Sequence, residues 1–150
     1  MKKIFLSLGL CATFLLADNF TLSSSDLEGQ LTSKQVFNGF GCTGENISPE
    51  LSWKDAPKGT KSFAVTVYDP DAPTGSGWWH WLVFDIPKDK FTLPRGFGNS
   101  ESKDVIQSIT DYGKSGFGGA CPPIGDKAHR YEFTVYALDI ETLGLDKNTN

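Results

Sequence analysis

The chain has 150 residues, of which 39% are hydrophobic and 21% charged, with 11 Phe, 4 Trp and 4 Tyr. That length and composition exclude two ordinary domains and a disordered chain, and leave one domain with a substantial core. Eighteen acidic against 14 basic side chains give a formal charge of −4, so nucleic acid is not an expected partner.

The N-terminus has the pattern of a signal peptide. Lys2 and Lys3 form a basic start, Ile4 to Leu16 is an apolar run, and Ala17 offers a small residue for cleavage. The run is about 13 residues, short of the ~20 a spanning helix needs, so no permanent membrane anchor is expected. Residues 1–17 are therefore set apart from a domain over 18–150, and the expected location is periplasmic or secreted. Without Lys2 and Lys3, 12 basic face 18 acidic side chains, a formal charge of −6. Any anion must then be held by local donors against the overall field. Export also leaves Cys42 and Cys121 as an even pair in an oxidising compartment, where a disulfide is expected; the alternative is two unpaired buried thiols. The bond would close a loop of about 80 residues and stabilise by about 4 kcal/mol on the chain-entropy model.

Asp18 to Ser24 reads as a first strand, with Phe20 and Leu22 on one face. Phe37 to Pro49 is too rich in Gly, Asn and Ser for regular structure and reads as a loop. Leu51 to Trp53 can form a short strand, and Ala56 to Gly59 a turn. Phe63 to Asp69 alternates Phe63, Val65 and Val67 against Ala64, Thr66 and Tyr68, the strongest strand signal in the chain. Trp79 to Ile86 is apolar on both faces, as a central strand would be. Val105 to Ile109 is a further candidate. Asp111 to Lys127, with five Gly and two Pro, is a long irregular loop of the kind that carries function. Arg130 to Leu138 alternates again as a strand. The expected fold class is mostly β, with antiparallel sheets and few short helices.

Both histidines of the chain, His80 and His129, sit at the edge of a predicted strand beside a Gly/Pro-rich loop. Asp69 and Asp71 follow the Phe63 strand directly. Taken singly, each has an ordinary structural role open to it; together, three distant segments deliver polar groups at strand ends. Pro70 holds Asp69 in an extended geometry, so its carboxylate can orient an imidazole and favour the charged form. Two histidines with backbone N–H groups from Gly119, Ala120 and Cys121 would form a nest for phosphate or carboxylate, and Tyr131 could add a hydroxyl. Trp78, Trp79 and Trp81 would be walls or core. Zinc was weighed and is not expected, since the histidines lack ligand spacing and a bonded Cys121 offers no thiolate. No nucleophile elbow or phosphate loop is present.

DPDAP (69–73), GWWHW (77–81) and GGACPPIGDKAHRYEFTVYAL (118–138) resemble blocks of the phosphatidylethanolamine-binding proteins, the group that includes the Raf kinase inhibitor protein. FGCTGENISPELSW (40–53) and GTKSFAVTVYDPDAPTGSGWWHW (59–81) look like its bacterial branch. The resemblance implies a β-sandwich with a small anion pocket formed by Asp69, Pro70, His80, Gly119, Ala120, Cys121, His129 and Tyr131. Asp71 and Pro73 would shape the loop, and Arg130 would be structural. It implies binding of phosphate, phosphorylethanolamine or a carboxylate without a cofactor. The alternatives are inhibition of a peptidase or kinase partner through that pocket, and, as the poorest fit, hydrolysis by the two histidines. The loop between DPDAP and His80 is shorter than in animal members, and the strand and helix that usually follow the HRY strand are not expected here.

Overall fold

The computed structural model describes residues 20–149, so the targeting segment and the start of the first expected strand lie outside the described residues. Nine strands appear in chain order: β1 (Thr21–Ser23), β2 (Asn38–Gly39), β3 (Cys42–Thr43), β4 (Leu51–Lys54), β5 (Ser62–Asp69), β6 (Trp78–Pro87), β7 (Thr92–Leu93), β8 (Ile106–Gln107) and β9 (Glu132–Leu138). One 3₁₀ turn, Phe97–Asn99, follows β7. They form a four-stranded sheet β8-β6-β5-β9, a three-stranded sheet β1-β4-β7 and a small hairpin β2-β3, with antiparallel pairing throughout these strands.

The two larger sheets close on one core. Phe63, Val65 and Val67 of β5 and Trp81, Val83 and Ile86 of β6 meet Leu51 and Trp53 of β4 and Leu93 of β7. The alternation on β5 continues through Asp69, which is 3% exposed, so a carboxylate ends the buried face of the strand. Phe133, Val135 and Ala137 of β9 pack on the same cluster. Truncating a core aromatic such as Phe63 to Ala should cost about 3–5 kcal/mol.

Register places the site. Val67 pairs with Trp81 and Tyr68 with Trp79, so His80 is an extra residue opposite neither, at a β-bulge in β6. A bulge re-aims a side chain without ending the strand. Trp81 thus remains in the core, while His80 reaches the end of the sandwich beside Asp69. Past the strand, Gly77 (φ 71°) passes so close to Tyr68 that a Cβ there would lie 2.2 Å from the phenolic oxygen. That hydroxyl donates to Ser76 O at 2.7 Å and pins the loop between the strands.

Two expectations are corrected. The 37–49 segment contains the β2-β3 hairpin, with Phe40 at its tip in the left-handed region (φ 54°). The strand expected over Val105 to Ile109 contracts to Ile106–Gln107, with an isolated bridge from Ile109 to Ser115.

Candidate functional site

The Asp111 to Lys127 segment has little regular structure and is instead fastened by its backbone. Gly118 N–H donates to His80 O (2.8 Å), Phe117 N–H to Gly98 O (2.8 Å) and Ala120 N–H to Gln35 O (3.1 Å), while Phe37 N–H donates to Ala120 O (2.8 Å). Asn46 clasps the same segment from the opposite side: its Oδ1 accepts from Gly119 N–H at 2.7 Å and its Nδ2 donates to Phe117 O at 3.2 Å. A disulfide joins Cys42 to Cys121, 79 positions apart, and ties the β2-β3 hairpin to the segment. These ties bring Phe40 and Tyr112 to the mouth of a cavity of about 200 Å³.

Asp69, His80, Cys121 and His129, expected at a common site, all line that cavity, together with Trp78 and Pro73. His80 Nδ1–H donates to Gly118 O at 2.7 Å, which fixes the tautomer and leaves Nε2 as the remaining polar atom of the ring. Burial pushes the His80 pKa down, outweighing the opposing pull of the Gly118 carbonyl and the Asp69 charge. Burial thus favours the neutral ring, which with Nδ1–H on Gly118 O keeps a lone pair on Nε2.

His129 is shifted the other way. Its Nδ1–H donates to Asp69 Oδ2 at 2.8 Å, and both side chains are 4% exposed. Its Nε2 lies 3.4 Å from Oδ2 of the more exposed Asp126. Burial disfavours the charged ring, but the hydrogen bonds and charges of Asp69 and Asp126 outweigh it and raise the pKa. The other oxygen of Asp69 accepts from Asp71 N–H at 2.9 Å, so its carboxylate is held from both sides. Asp71 in turn pairs with Arg130, which lies outside the cavity lining as expected.

The expected backbone nest of Gly119, Ala120 and Cys121 is corrected at its first two positions. The Gly119 and Ala120 N–H groups are already donated to Asn46 and Gln35, so they do not offer themselves to a ligand. Tyr131 is also displaced from its expected part: it lies outside the lining, edge-on to His80 with ring centres 5.2 Å apart, and its buried hydroxyl has no partner among the described residues. Pro70, Gly119 and Ala120 are likewise outside the lining, whereas Pro73, expected only to shape its loop, is in it. Of the three tryptophans, Trp78 alone is a wall. Trp79 packs at a tilt on Tyr68 with ring centres 4.4 Å apart, and Trp81 is fully buried against Phe117.

Tyr112 is the main residue missed by sequence reasoning. Its hydroxyl donates to Gly119 O at 2.6 Å, and its ring stands edge-on to Trp78 and His80. Only its position within a long Gly-rich loop pointed to it. Among the described residues, no group of three or more His, Cys, Asp or Glu is arranged to hold a metal ion, and no helix is long and apolar enough to cross a membrane.

An antiparallel sandwich with two histidines, shifted in pKa in opposite directions, at one small and mainly apolar pocket is the architecture of a binding protein. Comparison with known proteins gives it a family. Residues 24–150 match the family model described as phosphatidylethanolamine-binding protein, and the chain belongs to that family. It is 54% identical over 134 residues to the UPF0098 protein YbhB of Escherichia coli (strain K12), covering 86% of this chain and 84% of that one. It is 51% identical over 137 residues to the UPF0098 protein YbcL of the same organism, covering 87% and 75%. The crystal structure of E. coli YbcL, described as a new member of the mammalian PEBP family, superposes with a TM-score of 0.84 over 89% of this chain and 84% of that chain. A putative PEBP homologue from Chlamydia trachomatis, 29% identical, gives 0.69 over the same shares.

Proposed function

We propose that this protein binds a small anion, such as phosphate, phosphorylethanolamine or a carboxylate, in the pocket between His80 and His129. The observation that carries the reading is the His129 clamp: a buried imidazole oriented by Asp69, which favours its charged form, in a cavity that otherwise presents mainly apolar surface. A fixed cationic donor away from water binds an anion more strongly than an exposed one would. The volume, below that of drug-sized sites, suits a headgroup-sized ligand.

Binding without turnover fits the residues better than catalysis. Among the described residues no serine and no free thiol line the pocket, and Thr74 Oγ1–H already donates to Gly77 O at 2.6 Å. Export to the periplasm or outside the cell is part of the proposal. It is supported by the basic, apolar and small-residue order of residues 1–17 and by a disulfide of the kind that persists in oxidising compartments. Titration of phosphorylethanolamine followed by NMR tests the binding: the His80 and His129 ring signals should move at millimolar ligand, and the His80 signal should stay still in His129→Ala. Unmoved signals in the natural protein would remove the reading.

A second reading is an inhibitor that accepts an acidic side chain or carboxyl terminus of a peptidase or kinase. It is favoured by the exposed apolar side chain of Phe40 on the cavity lining, 75% open to solvent. A partner captured by the natural protein and lost with Phe40→Ser would support it.

A further inference from the structure

The two histidines present unlike atoms to the cavity. His80 spends its one ring proton on Gly118 O, so Nε2 offers a lone pair. His129 donates Nδ1–H to Asp69 and turns its Nε2 to Asp126 Oδ2 at 3.4 Å, so a carboxylate stands at each ring nitrogen, the setting of an imidazolium with a proton on both. A ligand that satisfies both must therefore accept a hydrogen bond at one atom and donate one at another.

The charges around His80 narrow the ligand further. Asp69 faces it from β5, Asp111 and Tyr112 from the segment after β8, and His129 and Tyr131 from the stretch leading into β9, with Asp126 beside His129. Asp69 and His129 cancel as a pair, as do Asp71 and Arg130 just outside. No Lys or Arg lines the cavity among the described residues, and Asp126, outside the lining, stands 3.4 Å from His129 Nε2. A doubly charged anion would meet one cationic partner with a carboxylate beside it.

Resting on the anion-binding reading above, we propose that the pocket selects a phosphate monoester in its singly charged form. One unprotonated oxygen accepts from His129 Nε2–H, while the P–O–H of the same group donates to His80 Nε2. The complex thus holds one proton between the ligand and His80. The monoanion brings that proton with it; the dianion must take it from solvent on binding. A phosphodiester, the form a headgroup has within an intact phospholipid, has the charge but no O–H to give, and leaves His80 Nε2 without a partner. The pressure of burial against a charged His80 acts in the same direction, since it keeps the proton on the ligand side. The apolar rim of Phe40, Trp78 and Pro73 then meets the ester carbon chain.

Calorimetric titration of the full domain with phosphorylethanolamine and with glycerophosphoethanolamine, from pH 5 to pH 8, separates the possibilities. Phosphate monoesters lose their second proton near pH 6. The monoester should weaken about tenfold per pH unit above that point, with about one proton taken up per ligand at pH 8 when buffers of different ionisation enthalpy are compared. At pH 5 the diester should bind at least about tenfold more weakly than the monoester, and it should lack that steep pH dependence. Equal affinity of the two esters at pH 5, or flat monoester affinity with no proton uptake, would overturn the selection while leaving anion binding intact. Failure of both esters to bind at any pH would overturn the anion reading and this inference with it.

Discussion

Asp69 Oδ2 accepts from His129 Nδ1–H at 2.8 Å across an interface from which both side chains are almost completely withdrawn from water. Breaking a buried pair by removing one partner leaves the other desolvated and uncompensated, at a cost of about 3–5 kcal/mol. Asp69→Ala also deprives Asp71 N–H of its acceptor. The variant should lose about 3 kcal/mol in denaturant unfolding, and the His129 ring should titrate at lower pH by NMR. A loss below about 1 kcal/mol would mean that the pair contributes orientation without much stability.

Stability should pass through a maximum near pH 6.5, because the two histidines push in opposite directions. His129 has a raised folded-state pKa, so its contribution is complete below the unfolded value and is lost as pH rises through the folded one. His80 has a lowered folded-state pKa, so its contribution is complete above the unfolded value and is lost as pH falls through the folded one. Between pH 5 and 8, His80→Gln should flatten the acid limb of the urea midpoint and His129→Gln the alkaline limb. Identical profiles for both variants would contradict the assigned protonation states.

The Cys42–Cys121 bond does more than close a long loop, since it fastens the Phe40 hairpin to one wall of the pocket. Its closure entropy corresponds to about 4–5 kcal/mol in the unfolded chain. Cys42→Ala with Cys121→Ala should lower stability by at least about 2 kcal/mol and weaken phosphorylethanolamine binding. In the oxidised protein, unfolded without reductant, thiol titration should detect none from this pair.

Gly119 leaves no room for a side chain. A Cβ there would come within 2.2 Å of Gln35 O and 2.7 Å of Phe37 N, both backbone atoms that cannot swing aside. Gly119→Ala should cost about 3 kcal/mol by overpacking. It should also disturb the Tyr112 ring signals, because Gly119 O is the acceptor for that hydroxyl.

The long strands were legible because their side chains alternate over enough residues to declare a face: β5, β6 and β9 lie within two residues of the expected bounds. Asp69, His80 and His129 could be brought together on paper because each ends or borders one of those strands. What escaped was held by non-periodic ties. A two-residue strand such as Asn38–Gly39 has no period, and Tyr112 reaches the cavity only through the backbone bonds of its loop. The nest at Gly119 and Ala120 failed as an expectation because a glycine-rich sequence advertises free N–H groups without showing that Asn46 and Gln35 consume them.

Asp126 is the one carboxylate near the donor atom of His129 that solvent also reaches: its Oδ2 lies 3.4 Å from Nε2, and its side chain is 40% exposed. In the free protein it occupies the donor that an anion would need, and an ion pair with an exposed partner is worth no more than about 1 kcal/mol. A ligand must displace it and tolerate its charge nearby. Asp126→Ala should therefore tighten phosphorylethanolamine binding about threefold at pH 6, where His129 stays charged through Asp69, with the gain shrinking as salt screens the removed charge. Weaker binding in this variant would make Asp126 a contact for the ligand's ammonium group instead of a competitor for its phosphate.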